Sequence, residues 1–273
     1  MIVSRKGADL SYTTRGNGPT CLVLSSIGIK PYERLMPSQL SDHLRLVFVE
    51  LRGSGSSASD PAELTFDVLA EDLEAIRKDL GAERVAVLGH SILGALAIEV
   101  GRRCPDTVSH VITAGTPPTG DMARVMAQAN AFLQTDASDD RKGVLRQNLA
   151  ELPANPSLRE STRAQTPLRF FDARLDTTPL FGEAEVKPAF FPHLLGTLTA
   201  GWDVTVDADS LRVPILLTQG RLDYVSPYTL WEGIVSKVPN ATLRLFEKSG
   251  HHPFFEEPDL FVSVVTDWMK SHS

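Results

Sequence analysis

Two cysteines, Cys21 and Cys104, are all that a chain of 273 residues contains. They stand far apart and without metal-ligand spacing, so neither a disulfide framework nor a zinc site organises the fold. Each reads as a small buried hydrophobe, and a reducing, cytoplasmic setting is expected. No apolar run approaches the roughly 18 residues of a membrane span. A basic excess is missing too: the net charge is −7 and the isoelectric point near 5.5. That balance argues against nucleic acid, which recruits a basic stripe. The opening Met1-Ile-Val-Ser-Arg-Lys-Gly has no apolar core of a signal peptide, so secretion is not expected. No H-E-x-x-H pattern occurs, and no G-x-G-x-x-G follows a strand, so neither a metal nor a nucleotide cofactor is expected. What remains, 42% hydrophobic and 22% charged residues, describes an ordinary globular protein that works on a small molecule, as a monomer or homodimer.

Hydrophobic patterning supplies the architecture. Residues 1–15 predict a β-hairpin turning at Gly7-Ala8-Asp9. Buried strands are expected at Cys21–Ser25, Leu44–Leu51 and Val85–Leu88, and further strands at Val108–Ala114, Val213–Thr218 and Ala241–Phe246. Between them lie helices: Thr65 caps one that runs to Leu80 and ends at Gly81, another follows Ser91, and two more are expected at Ser226–Val238 and Pro258–Met269. Strand–helix alternation means an α/β fold with a mostly parallel sheet and antiparallel N-terminal strands. From about Gly120 to Val206 the alternation stops. Helical pieces, prolines and the aromatics Phe132, Phe170, Phe171, Phe181, Phe190, Phe191 and Trp202 replace it. A block of about 85 residues exceeds any ordinary loop, so an inserted helical cap over the sheet's carboxyl edge is expected. The division is a core of residues 1–118 and 207–273, with a cap of residues 119–206.

The chemistry centres on Gly89-His90-Ser91, where the strand turns directly into an Ala/Leu/Ile-rich helix. A serine in so sharp a corner exposes its Oγ at the sheet edge, next to a free helix-terminal N–H. The second glycine of a G-x-S-x-G elbow is displaced: Leu93 stands where a small residue is usual, and Gly94 comes one place late. A serine nucleophile needs a base, usually histidine, oriented by a carboxylate. Asp223 follows the strand 213–218 and His251 follows the strand 241–246. Ser91, Asp223 and His251 therefore each come just after a different strand, in the order Ser…Asp…His.

With those residues in place, the sequence resembles the α/β-hydrolase superfamily over nearly its whole length outside the cap. It looks most like the capped group of proline-iminopeptidase-like hydrolases, lactonases and carboxylesterases. Glu50-Leu-Arg52-Gly53-Ser-Gly55-Ser-Ser57 is similar to the family's D-x-R-G-x-G-x-S turn, with Glu for Asp. Gly220-Arg-Leu-Asp223 matches its acid loop, and Gly250-His251-His252-Pro253-Phe-Phe-Glu256-Glu257-Pro258 its G-H-x-P-x-x-E-x-P. The resemblance implies an α/β-hydrolase fold and makes His251 the base, with His252 at the variable position. It also implies an oxyanion hole from the backbone N–H groups of Ile27 and Ile92, although Ser25-Ser26-Ile27-Gly28 replaces the usual H-G-x-P.

The expected activity is a cofactor-free serine hydrolase that cleaves a small, mostly apolar ester or lactone through an acyl-enzyme. The aromatic cap suggests neutral substrates, because no counter-charge stands out in it. Ser26, Phe170, Phe171, His193, Trp202 and His252 are candidate substrate contacts. His90 reads as packing beside the sheet, and His110, in mid-strand, as a hydrogen-bonded core residue. Rival readings are an aminopeptidase or amidase, with Glu183 or Glu185 holding an ammonium, and a lyase, oxygenase or ligand-binding protein on the same fold.

Overall fold

The computed structural model describes residues 1–272. An eight-stranded sheet runs through the molecule in the order β1-β2-β4-β3-β5-β6-β7-β8. Its strands are β1 (Ile2–Arg5), β2 (Ala8–Arg15), β3 (Thr20–Ser25), β4 (Arg45–Glu50), β5 (Val85–His90), β6 (Val108–Ala114), β7 (Ile215–Gly220) and β8 (Ala241–Phe246). β1 and β2 pair antiparallel, as do β2 and β4, and every later pairing is parallel. Boundaries fall within about two residues of those expected, the usual scatter at element ends. β3, β5 and β7 are buried along their entire length, which is why they read as unbroken apolar runs.

Two expectations need correction. The first hairpin turns at Lys6-Gly7, whose φ values of 45° and 78° are both left-handed, while Ala8 and Asp9 already belong to β2. Such a two-residue turn matches the twist of its flanking strands. The expected helix at Ser226–Val238 is instead a pair of short 3₁₀ turns, Tyr228–Trp231 and Val235–Lys237. Glu232 is extended and Gly233 sits at φ 70°, so the backbone breaks where an uninterrupted helix needs regular dihedrals.

Helix α1 (Ile29–Leu35) follows β3, α2 (Phe66–Asp79) precedes β5, and α3 (Leu93–Arg103) follows it. Thr65 caps α2 by accepting the Val68 N–H, and Leu69, Leu73 and Ile76 form its buried face. α3 is buried from Leu93 to Gly101, packed on β5 and β6 and against α2. Its one buried carboxylate, Glu99, takes hydrogen bonds from Arg102, Arg103 and the indole of Trp202.

Between β6 and β7 the described residues form no strand. They form α4 (Met122–Asp136), α5 (Asp139–Ala150), α6 (Leu158–Ala164) and several single turns. Each of the three helices starts at a side-chain cap: Asp121 and Ser138 accept N–H groups, and Ser157 forms a capping box with Glu160. The two ends of this segment meet where Thr119 bridges Asp203 and Gly120 N–H donates to Trp202 O at 2.8 Å. The segment is fastened to the rest of the chain by Glu185 N–H on Ile27 O at 3.0 Å and Lys187 Nζ on Ser59 O at 2.9 Å. No helix among the described residues is long and apolar enough to cross a membrane.

Candidate active site

Ser91 stands between β5 and α3 with φ 56°, a left-handed conformation that a non-glycine residue adopts at a cost. The neighbours hold it there. Ser91 N–H donates to Ala114 O at 2.8 Å, and Thr116 Oγ1 donates to Ser91 O at 2.8 Å. Gly89 is required, since a Cβ would lie 2.2 Å from Leu93 O. The displaced second glycine also has a reason: a Cβ on Gly94 would lie 1.9 Å from Thr116 Oγ1. Leu93, in the position usually given to a small residue, is buried and lines the cavity beside Ser91.

The parallel strands carry Asp223 and His251 to the same sheet edge, after β7 and β8. His251 Nδ1–H donates to Asp223 Oδ2 at 2.7 Å, and both residues are fully buried. Asp223 Oδ1 accepts from Val225 N–H and Ser226 N–H, each at 2.8 Å, so the carboxylate cannot swing away. With the proton on Nδ1, a neutral imidazole presents its lone pair at Nε2. That atom has no hydrogen-bond partner among the described residues, and His251 and Ser91 line one cavity.

A second layer supports this pair. His90 Nε2–H donates to His251 O at 3.0 Å, and His252 stacks on Phe170 at 4.5 Å with the rings 7° from parallel. Burial pushes His90 and His252 well below the ordinary imidazole value, aided by the charges around them. Both are therefore neutral at neutral pH, His90 as a donor to His251 O and His252 as a packing group. Glu256 accepts N–H groups from Gly250 and Phe171 and so fixes the histidine loop; burial raises it to about 7.

Ile27 and Ile92 both line the cavity, and among the described residues neither backbone N–H is used by another protein group. The loop bearing Ile27 rests on the turn after β4. There Glu50 accepts from Ser56 N–H at 2.9 Å and Ser56 Oγ at 2.7 Å, so the longer carboxylate still closes that turn. Gly55 allows it, because a Cβ would lie 1.8 Å from Glu50 Oε1.

The cavity encloses about 1050 Å³ between the sheet edge and the β6–β7 segment, with mostly apolar walls that include Tyr32, Leu93, Phe181, Phe191 and Leu195. Of the six expected substrate contacts, Ser26 and His252 lie on its wall and four do not. Phe170 is buried behind His252, and Phe171 is 44% exposed on the outer surface. His193 donates to Leu64 O at 2.8 Å, and Trp202 Nε1 donates to Glu99 Oε1 at 3.0 Å, so both fasten the segment to the core. Aromatic composition located the segment, but not which rings face inward. Arg169 lies on the wall as well, and nothing in its local sequence marked it. No group of three or more His, Cys, Asp or Glu among the described residues is arranged to hold a metal ion.

An open, mostly parallel sheet with a strained serine at a strand–helix corner, and a buried Asp–His pair beside it, defines a class of protein rather than one activity. The α/β hydrolase fold family matches residues 25–258, and the chain belongs to it. Among curated relatives, it is 29% identical to the AB hydrolase superfamily protein YclE of Bacillus subtilis, over 98% of each chain. It is 28% identical to a pimeloyl-[acyl-carrier protein] methyl ester esterase of Nitrosomonas europaea, over 94% of this chain and 98% of that one. Among solved structures, proline iminopeptidase of Mycobacterium smegmatis superposes with a TM-score of 0.76 over 100% of this chain and 98% of that one, at 18% identity.

Proposed function

We propose that the chain is a serine hydrolase that cleaves an ester or lactone through an acyl-enzyme, with the β6–β7 segment serving as its cap. The observation that carries this reading is the buried His251–Asp223 pair at 2.7 Å, with His251 Nε2 unpartnered on the cavity that Ser91 lines. Ser91 Oγ attacks the substrate carbonyl carbon as its proton passes to His251 Nε2. Asp223 holds the imidazole in the required tautomer and offsets the imidazolium charge. The carbonyl oxygen becomes an oxyanion, and the N–H groups of Ile27 and Ile92 are the donors for it. Collapse of the tetrahedral intermediate releases the alcohol with the proton from His251. Water, deprotonated by the same imidazole, then frees the acid and restores Ser91. The reaction draws only on side chains, backbone and water.

The mostly apolar wall suits ester and lactone substrates, since a bound apolar group displaces water from the site and so strengthens oxyanion stabilisation. The aminopeptidase alternative needs a carboxylate to hold a substrate ammonium. Glu183 and Glu185 are exposed and off the cavity wall, Glu183 pairs with Lys30 and Arg34, and Glu160, the carboxylate on the wall among the described residues, is taken up by Ser157 N–H and Oγ. A panel of 4-nitrophenyl esters, lactones and prolyl anilides tests the proposal. Turnover of esters or lactones that disappears in Ser91→Ala supports it, and a preference for the anilide sinks the ester reading.

A further inference from the structure

Besides histidines, three side chains that carry charge line the cavity among the described residues: Arg159, Glu160 and Arg169. The first two are exposed at the start of α6 and are already engaged. Arg159 donates to Gly182 O, and Glu160 closes the capping box on Ser157. Arg169 differs. Its Nε is shielded from solvent and has no hydrogen-bond partner among the described residues, and its Nη2 donates to the neutral Gln165 Oε1 at 3.0 Å. It joins no ion pair among the described residues. Asp223 is the carboxylate that acts on it through space, but both Asp223 oxygens are committed, to His251 and to two backbone N–H groups.

The position of Arg169 is fixed from the reaction side. Its carbonyl accepts the His251 N–H at 2.6 Å, and Gly250 permits that approach, because a Cβ there would lie 2.4 Å from Arg169 O. Its charge contributes to holding both His90 and His252 in the neutral form. Burial lowers the guanidinium from its ordinary value, yet arginine remains protonated in proteins. A cation in a mostly apolar cavity is costly unless an anion pairs with it. Arg169 is half-buried, so water can solvate its outer edge in the free protein, but no carboxylate among the described residues is in contact with it, and a ligand that displaces that water must bring the pairing charge. One guanidinium balances one negative charge, and its planar fork fits a carboxylate through two parallel N–H bonds. A phosphate dianion would leave a charge uncompensated.

We propose that Arg169 recognises a free carboxylate on the substrate, so that the ester or lactone opened at Ser91 carries an acid group elsewhere in the molecule. The inference rests on the hydrolase reading above and narrows its substrate class: the neutral substrates expected from the sequence give way to anionic ones.

The test uses the full chain and matched ester pairs. 4-Nitrophenyl hemisuccinate, hemiglutarate and hemiadipate are each compared with the neutral straight-chain ester of the same carbon number. In the wild type the acid-bearing member of at least one pair has the higher kcat/KM. In Arg169→Met that preference falls by about 10- to 100-fold, the loss expected for a charge-assisted hydrogen-bonded contact. Arg169→Lys retains part of it. Because each ratio is internal to one variant, a general loss of activity or folding does not imitate the result. Calorimetric binding of the free diacids to Ser91→Ala, with and without Arg169→Met, gives a readout independent of turnover. Wild-type preference for the neutral esters, or equal preference and equal diacid affinity in the methionine variant, overturns the proposal. If no ester is turned over while diacid binding still depends on Arg169, the arginine assignment stands and the hydrolase reading fails.

Discussion

Gly94→Ala is expected to destabilise the protein even though it improves helix propensity. Alanine in a helix interior gains about 1 kcal/mol over glycine. Here the added Cβ would lie 1.9 Å from Thr116 Oγ1, 2.7 Å from its Cγ2 and 2.8 Å from its Cβ. Thr116 is fully buried and its hydroxyl holds the Ser91 carbonyl, so the side chain has nowhere to turn without breaking that bond. Overpacking costs about 1–3 kcal/mol. Losing the hydrogen bond costs about 1 kcal/mol more. The sum favours a net loss of about 1–3 kcal/mol. Gly143 in α5 is the control: its Cβ would meet nothing closer than Arg146 Nη2 at 3.9 Å. Gly143→Ala should therefore stabilise by about 0.5–1 kcal/mol. Urea unfolding followed by tryptophan fluorescence measures both, and initial ester hydrolysis rates show whether loosening the Ser91 carbonyl also lowers kcat. If Gly94→Ala raises stability as Gly143→Ala does, the packing account of the displaced elbow glycine is wrong.

Asp223→Asn removes the acceptor that fixes the His251 tautomer, and kcat/KM should fall by about 10³- to 10⁴-fold. Activity within a few-fold of the wild type would mean that another group orients the base. Stability should also fall on acidification, and His252 contributes to that. Burial foremost holds the folded-state value of His252 well below 6.5, so the unfolded chain takes up a proton that the folded chain refuses. That contribution is present above pH 6.5 and is lost as pH drops below it. His252→Phe, which keeps the stack on Phe170, should reduce the pH slope of stability between pH 6.5 and 5 by up to about 1.4 kcal/mol per pH unit. Chemical denaturation at three pH values reads it, and an unchanged slope would show that His252 titrates normally.

Much of the core was legible because its signals are local. Val85–Leu88 followed by Gly89-His90-Ser91 and an alanine-rich run encodes strand, corner and helix within a few residues, and the structure forms all three. The placement of Asp223 and His251 at one sheet edge is legible because each follows its own strand, and parallel pairing carries strand ends to one edge. The β6–β7 segment was legible as an interruption but not in detail. Its helices are short, so the direction of each side chain depends on what it meets in three dimensions. Trp202 turns to Glu99 and His193 to Leu64 O, neither of which is near in sequence. The same limit hid Arg169, one of 27 basic residues, whose significance lies in lacking a carboxylate partner. Ser226–Val238 had an acceptable helical composition, and Gly233 at φ 70° marks where tertiary fit overrode it.

The central claim is that Ser91 is the nucleophile, and covalent labelling tests it most directly. A fluorophosphonate reacts with a serine only when a base activates its hydroxyl. Treating the native protein with such a probe and mapping the modified peptide by mass spectrometry should place a single adduct on Ser91. Labelling should vanish in Ser91→Ala and slow sharply in His251→Ala. An adduct on any other residue, or equal labelling of the wild type and Ser91→Ala, would contradict the account.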